Sequence, residues 1–147
     1  RPISAYRMNV EDENTAAAEA SRMAFRMAGI THKDVDACEL YDCFTYTVEA
    51  TLRDYGFFRR EEVRDFLTAE RLGPGGEFPV NTSGGMLSEA YFMGLTPLAE
   101  SFMQLTGRCG DRQLGKLAGT KEPALIACSD NGAVFQGHAA MILERGE

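Results

Sequence analysis

The chain has no tryptophan, only two histidines, His32 and His138, and five prolines, and no uninterrupted apolar run reaches the roughly 20 residues a membrane helix needs. Its four cysteines, Cys38, Cys43, Cys109 and Cys128, form no CxxC pair, and with two histidines they make a poor zinc framework. Reduced thiols are the expectation. Basic residues are outnumbered 22 to 15, giving a net charge of −7, so the overall field opposes a general electrostatic hold on nucleic acid. The opening "RPISAYRMNV" has no signal-peptide apolar region, and it reads like the exit from a preceding element. The expectation is a soluble cytoplasmic protein and a fragment of a longer polypeptide.

Against those scarcities stand 44% apolar residues in 147, enough for one domain with a substantial core. From Thr15 to Ala28 the apolar residues Ala16, Ala20, Met23, Ala24 and Met27 form a helical stripe, with Asn14 as N-cap and Gly29 as terminator. "DVDACELY" predicts a covered strand over Val35 to Tyr41. A second helix with stripe Phe44, Val48, Leu52 and Tyr55 ends at Gly56, and "EEVRDFLTAERL" predicts one short helix. "EFPVN" predicts a short strand limited by Pro79. Thr96 and Pro97 predict the start of a helix whose apolar stripe is Leu98, Phe102 and Leu105. "PALIACS" and "HAAMIL" predict neighbouring strands, over Ala124 to Ser129 and Phe135 to Leu143.

Alternating helices and strands predict an α/β domain with helices on both faces of a mixed sheet. Chemistry in such domains gathers beyond strand ends, which groups Tyr41, Asp42 and Cys43 with the stretch Asn81 to Tyr91 and with Ser129 to Gly132. Within it "NTSGGMLSEAYFMG" pairs a glycine turn, Gly84 and Gly85, with Ser88, Glu89 and Tyr91. Paired glycines belong where φ must be positive or another group must come close to the backbone.

Three blocks, "ELYDCFTYTVEATLRDYGF", "LGPGGEFPVNTSGG" and "ACSDNGAVFQGHAAMIL", resemble the C-terminal half of thiolase-like enzymes, of the sterol-carrier and nonspecific lipid-transfer type. The resemblance spans Thr15 to Leu143. It implies a thiolase-like C-terminal domain over residues 1–147, an N-terminal half outside this chain carrying most coenzyme A contacts, and a dimer. Thiolases place a histidine in a "GHP" motif after the glycine turn, and Tyr91 stands there instead. A phenol of pKa about 10 is a poor base for activating a thiol. The arrangement of Tyr41 with "SEAY" resembles the branch of aldolases that cleave β-hydroxyacyl-CoA side chains of steroids, which work with a small OB-fold partner.

The resemblance implies a coenzyme A thioester as substrate, with no bound cofactor or metal. Its candidate catalytic residues are Tyr91 as acid/base and Tyr41 as partner, with Asn81, Gly84, Gly85, Asn131 and Gly132 shaping the substrate pocket. The alternatives are an ordinary thiolase, which transfers acyl groups through a cysteine, and a noncatalytic partner subunit of the same fold. Cys128 reads as a strand thiol, Cys43 as a buried residue of a helix start, His138 as a packed or edge residue, and His32 as a turn residue. Glu89 can orient the neighbouring phenol. Arg53, Arg59, Arg60, Arg64 and Arg71, interleaved with Glu61, Glu62 and Asp65, read as a solvated face rather than a phosphate site.

Overall fold

The computed structural model describes residues 15–115, 125–130 and 137–146. Helix α1 (Ala16–Ala28) is capped by Thr15, whose hydroxyl accepts from the Ala17 amide at 3.1 Å and also bonds the Asp54 carboxylate. The expected cap, Asn14, lies outside the described residues; Thr15 satisfies the free amide at the helix start. Gly29 closes α1 at φ 72°, as its position predicts. Strand β1 (Ala37–Glu39) leads to α2 (Thr45–Asp54), then to two one-turn helices, α3 (Val63–Phe66) and α4 (Ala69–Leu72). Helix α5 (Leu95–Leu105) precedes strands β2 (Leu125–Ser129) and β3 (Ala140–Glu144).

The sheet is mixed, in the order β1-β2-β3, with β1 parallel to β2 and β2 antiparallel to β3. Register puts Cys38, Ala127 and Ile142 in one row and Ala37, Ile126 and Leu143 in the next. Since side chains alternate across a strand, the rows face opposite ways. The first joins Ala17 and Phe25 of α1 and Ala50 and Leu52 of α2 in the main core. The second packs with Leu105 of α5 and with Leu114. Helices therefore cover both faces, as expected. Leu52 is fully buried in the larger cluster, so Leu52→Ala should cost about 2–5 kcal/mol, read as a lowered denaturant midpoint. Among the described residues no helix is long and apolar enough to cross a membrane.

Several local expectations are corrected. "EEVRDFLTAERL" makes two helices, because Thr68 accepts from the Arg71 amide and starts a new one. "EFPVN" makes a single parallel bridge, Cys38 to Val80, rather than a strand. The Phe78 and Val80 amides instead donate to Arg71 and Leu72 carbonyls, and Pro79 has no amide to give. Phe44 lies exposed before α2 rather than in its buried stripe.

Helix α5 starts two residues earlier than expected, after Gly94, which puts Pro97 third in the first turn, where no intrahelical hydrogen bond is lost. Its buried face is also the polar one. Thr96, Glu100, Ser101 and Gln104 are buried while Phe102 is 54% exposed. The reversal is possible because each buried polar group of the last three has a partner: Ser101 donates to the Pro97 carbonyl, and Glu100 and Gln104 bond Thr82.

Candidate active site

Beyond Glu39 the chain leaves the sheet edge and is held there by Asn81. This residue adopts a left-handed φ of 51°, its Oδ1 accepts from the Leu40 amide at 2.7 Å, and its Nδ2 donates to the Leu40 carbonyl at 3.1 Å. Both ends of the amide are thus engaged with backbone, so Asn81 acts on the pocket by fixing the loop. The Gly84 amide donates to the Asn81 carbonyl at 2.8 Å and closes the turn.

Gly84 and Gly85 both have positive φ, 93° and 67°. A Cβ on Gly85 would lie 2.1 Å from Asp42 Oδ2, so the close approach that the sequence implies is made by the Asp42 carboxylate. Asp42 is 3% exposed; its Oδ1 accepts from the Met86 amide at 2.8 Å and its Oδ2 from the Leu87 amide at 3.4 Å. The glycine turn therefore presents two amides to a buried carboxylate.

That docking carries Tyr91 to Tyr41. Their hydroxyls lie 2.6 Å apart and their rings meet edge to face at 6.4 Å. Tyr41 is buried, with its amide donating to Ser129 Oγ at 3.0 Å, whereas Tyr91 is 59% exposed. Burial, reinforced by the bond to Tyr91, pushes the Tyr41 phenol well above its ordinary range, so Tyr41 keeps its proton. Either hydroxyl can donate to the other. The pair thus consists of a buried inner phenol and an exposed outer tyrosine.

Of the residues singled out from the sequence, the structure brings together Tyr41, Tyr91, Asn81, Gly84 and Gly85; Asn131 and Gly132 lie outside the described residues. The sequence groups Asp42 with the site without revealing that it docks the loop, and it gives little sign of Glu39, Thr82 and Glu100. Their one sequence signal is a glutamate inside the apolar run "ACEL". The remaining candidates follow the plainer readings. Cys128 is a buried strand thiol and none of the four cysteines is in a disulfide, although Cys43 is only half-buried. His138 precedes β3 and shares a 2.8 Å hydrogen bond with Tyr55, and His32 sits in a short turn against the Phe57 ring. Arg53, Arg59 and Arg71 pair with Asp54, Glu62 and Glu77.

The mixed α/β sheet with a glycine turn beyond its strand ends fits the class of thiolase-like domains, and residues 4–145 match the thiolase C-terminal domain-like family, to which the chain belongs. Among its relatives is the 17-hydroxy-3-oxo-4-pregnene-20-carboxyl-CoA lyase of Mycobacterium tuberculosis, 38% identical over 58% of this chain and 22% of that one. The acetyl-CoA acetyltransferase of Methanothermobacter thermautotrophicus is 33% identical over 67% of this chain and 27% of its own length. The solved Ltp2-ChsH2(DUF35) aldolase superposes with a TM-score of 0.76 at 28% identity, over 95% of this chain and 34% of that one. The chain thus spans about a fifth to a third of the relatives it matches.

Proposed function

We propose that this chain supplies the tyrosine side of the active site in a carbon–carbon lyase that cleaves β-hydroxyacyl-CoA thioesters with bulky acyl groups by a retro-aldol route. The observation that carries the reading is the 2.6 Å contact between the Tyr41 and Tyr91 hydroxyls at the end of the sheet. Tyr91 takes the proton of the substrate β-hydroxyl, the Cα–Cβ bond breaks, and a carbonyl product leaves. The bonding pair passes to the thioester enolate, which is then protonated at Cα. Tyr41, which retains its proton, is placed to donate to the Tyr91 oxygen once Tyr91 acts as base. No acyl-enzyme is formed.

The lyase and aldolase relatives support this chemistry, and the acetyltransferase relative supports the other, acyl transfer through cysteine. Within this chain the strand thiol Cys128 is poorly suited to the latter: burial pushes it up to about 12, so it stays protonated at neutral pH. The aldolase that the chain resembles is named for two components, which supports a second subunit here as well, with an OB-fold protein and a second copy of the chain as the expected partners. Purified full-length protein, with and without such a partner, is to be offered a β-hydroxyacyl-CoA and, separately, a β-ketoacyl-CoA with free coenzyme A. Release of a ketone or aldehyde with the shortened acyl-CoA is the expected result. Thiolysis with a trapped cysteine acyl intermediate would overturn the reading.

A further inference from the structure

Glu39 is 1% exposed on the α5 side of the sheet, where a carboxylate has no ordinary reason to be. Thr82, the residue between Asn81 and the glycine turn, meets it: the Thr82 amide lies 3.2 Å from both Glu39 oxygens, and Thr82 Oγ1 lies 2.7 Å from Glu39 Oε1. The same hydroxyl lies 2.8 Å from Glu100 Oε1 and accepts from Gln104 Nε2 at 3.0 Å. The Gln104 amide cannot be turned round, because its Oε1 accepts from the Leu114 amide at 3.0 Å. Thr82 Oγ1 thus has three partners and one proton of its own.

A hydroxyl with one proton cannot donate to two carboxylates. One of them must bring a proton. Glu100 Oε2 accepts from Arg112 Nη2 at 3.0 Å. Burial alone would raise the Glu100 carboxyl, but hydrogen bonds from Arg112, Thr82 and Gln104 outweigh it and hold the group below the ordinary range. Glu100 is therefore the ionised member.

We infer that Glu39 is a protonated positioning residue: its carboxylic acid donates to Thr82 Oγ1, Thr82 donates to Glu100, and this chain fastens the loop that carries the glycine turn and Tyr91. Loss of the Glu39 proton would set an oxygen lone pair of Thr82 against a carboxylate oxygen at 2.7 Å and place two charges around one hydroxyl. The charged and titratable groups facing Glu39 agree in direction. Glu100 of α5 and Glu89 of the loop oppose its ionisation, and the Cys109 and Cys128 thiols in turn are raised in part by Glu39. The Arg112 cation is spent on Glu100. Burial, opposed by the Thr82 bonds, pushes the Glu39 carboxyl up to about 8.

The closed loop therefore binds one more proton than an opened one between the ordinary carboxylate range and about pH 8, so its stability falls as pH rises through that window and levels off above it. The test is hydrogen exchange in the full-length protein between pH 6 and 9, with protection of the Thr82 and Met86 amides corrected for intrinsic exchange. The expected result is a loss of protection approaching tenfold per pH unit up to about pH 8. In Glu39→Gln, whose amide donates to Thr82 without titrating, protection is expected to be flat. A flat wild-type profile, or a fall in Glu39→Gln parallel to wild type, would overturn the assignment. So would a slope that vanishes in Glu100→Gln and persists in Glu39→Gln, since that puts the proton on Glu100. The inference does not depend on the proposed chemistry: Tyr91→Phe should leave the pH profile of protection in place.

Discussion

Tyr91→Phe is expected to lower the turnover of β-hydroxyacyl-CoA cleavage by about 10² to 10⁴-fold while the protein stays folded. The substitution keeps the ring that meets Tyr41 edge to face and removes only the oxygen 2.6 Å from the Tyr41 hydroxyl. Tyr91 is 59% exposed, so water can take over the freed Tyr41 donor, and the stability loss should stay near or below about 1 kcal/mol. Tyr41→Phe separates the two roles. Its hydroxyl is inside and keeps its proton, so it acts through Tyr91, and its removal should lower the rate less than loss of Tyr91 while costing more stability. Rates for the two variants, measured beside their melting temperatures, check this. Wild-type turnover in Tyr91→Phe would remove the phenol from the chemistry.

Gly85→Ala should destabilise the protein by about 2.5–5 kcal/mol, the sum of two separable costs. A Cβ at φ 67° is strained by about 1–2 kcal/mol, and the same Cβ would lie 2.1 Å from Asp42 Oδ2. Displacing that carboxylate weakens its bonds to the Met86 and Leu87 amides, which are of the charge-assisted kind worth about 1.5–3 kcal/mol. Gly29→Ala is the control. Gly29 has nearly the same φ, 72°, and nothing within 4 Å of its Cβ position, so only the strain applies. Chemical denaturation of both variants measures the excess at Gly85, and equal losses would mean that Asp42 yields at no cost. Because Met86 and Tyr91 lie on one loop, Gly85→Ala should also depress turnover.

Much of this protein follows from one-dimensional pattern. The helical span of α1 with Gly29 behind it, the apolar runs that became β1, β2 and β3, and the paired glycines all carry their conformation in local chemistry, through periodicity and the freedom of glycine at positive φ. The expected apolar stripe of α1 is nevertheless not its buried face: Met23 and Met27 are exposed, and Ala17, Ser21 and Phe25 are buried instead. The tyrosines could be named as site residues because a resemblance marked their positions, and the strand-end argument put them near one another. Local pattern could not say which face of α5 is buried. Of its expected apolar stripe Phe102 points outward, Leu98 is half-buried and Leu105 is buried, while Glu100 and Gln104 point inward because their partners are Thr82 and Arg112, residues reached only once the chain has folded back. The same holds for Asp42, which meets amides 44 and 45 positions later, and for Glu39, whose protonation is decided by a hydroxyl 43 positions away. Periodicity records which residues avoid water; which buried polar groups share a proton depends on distances that only tertiary packing sets.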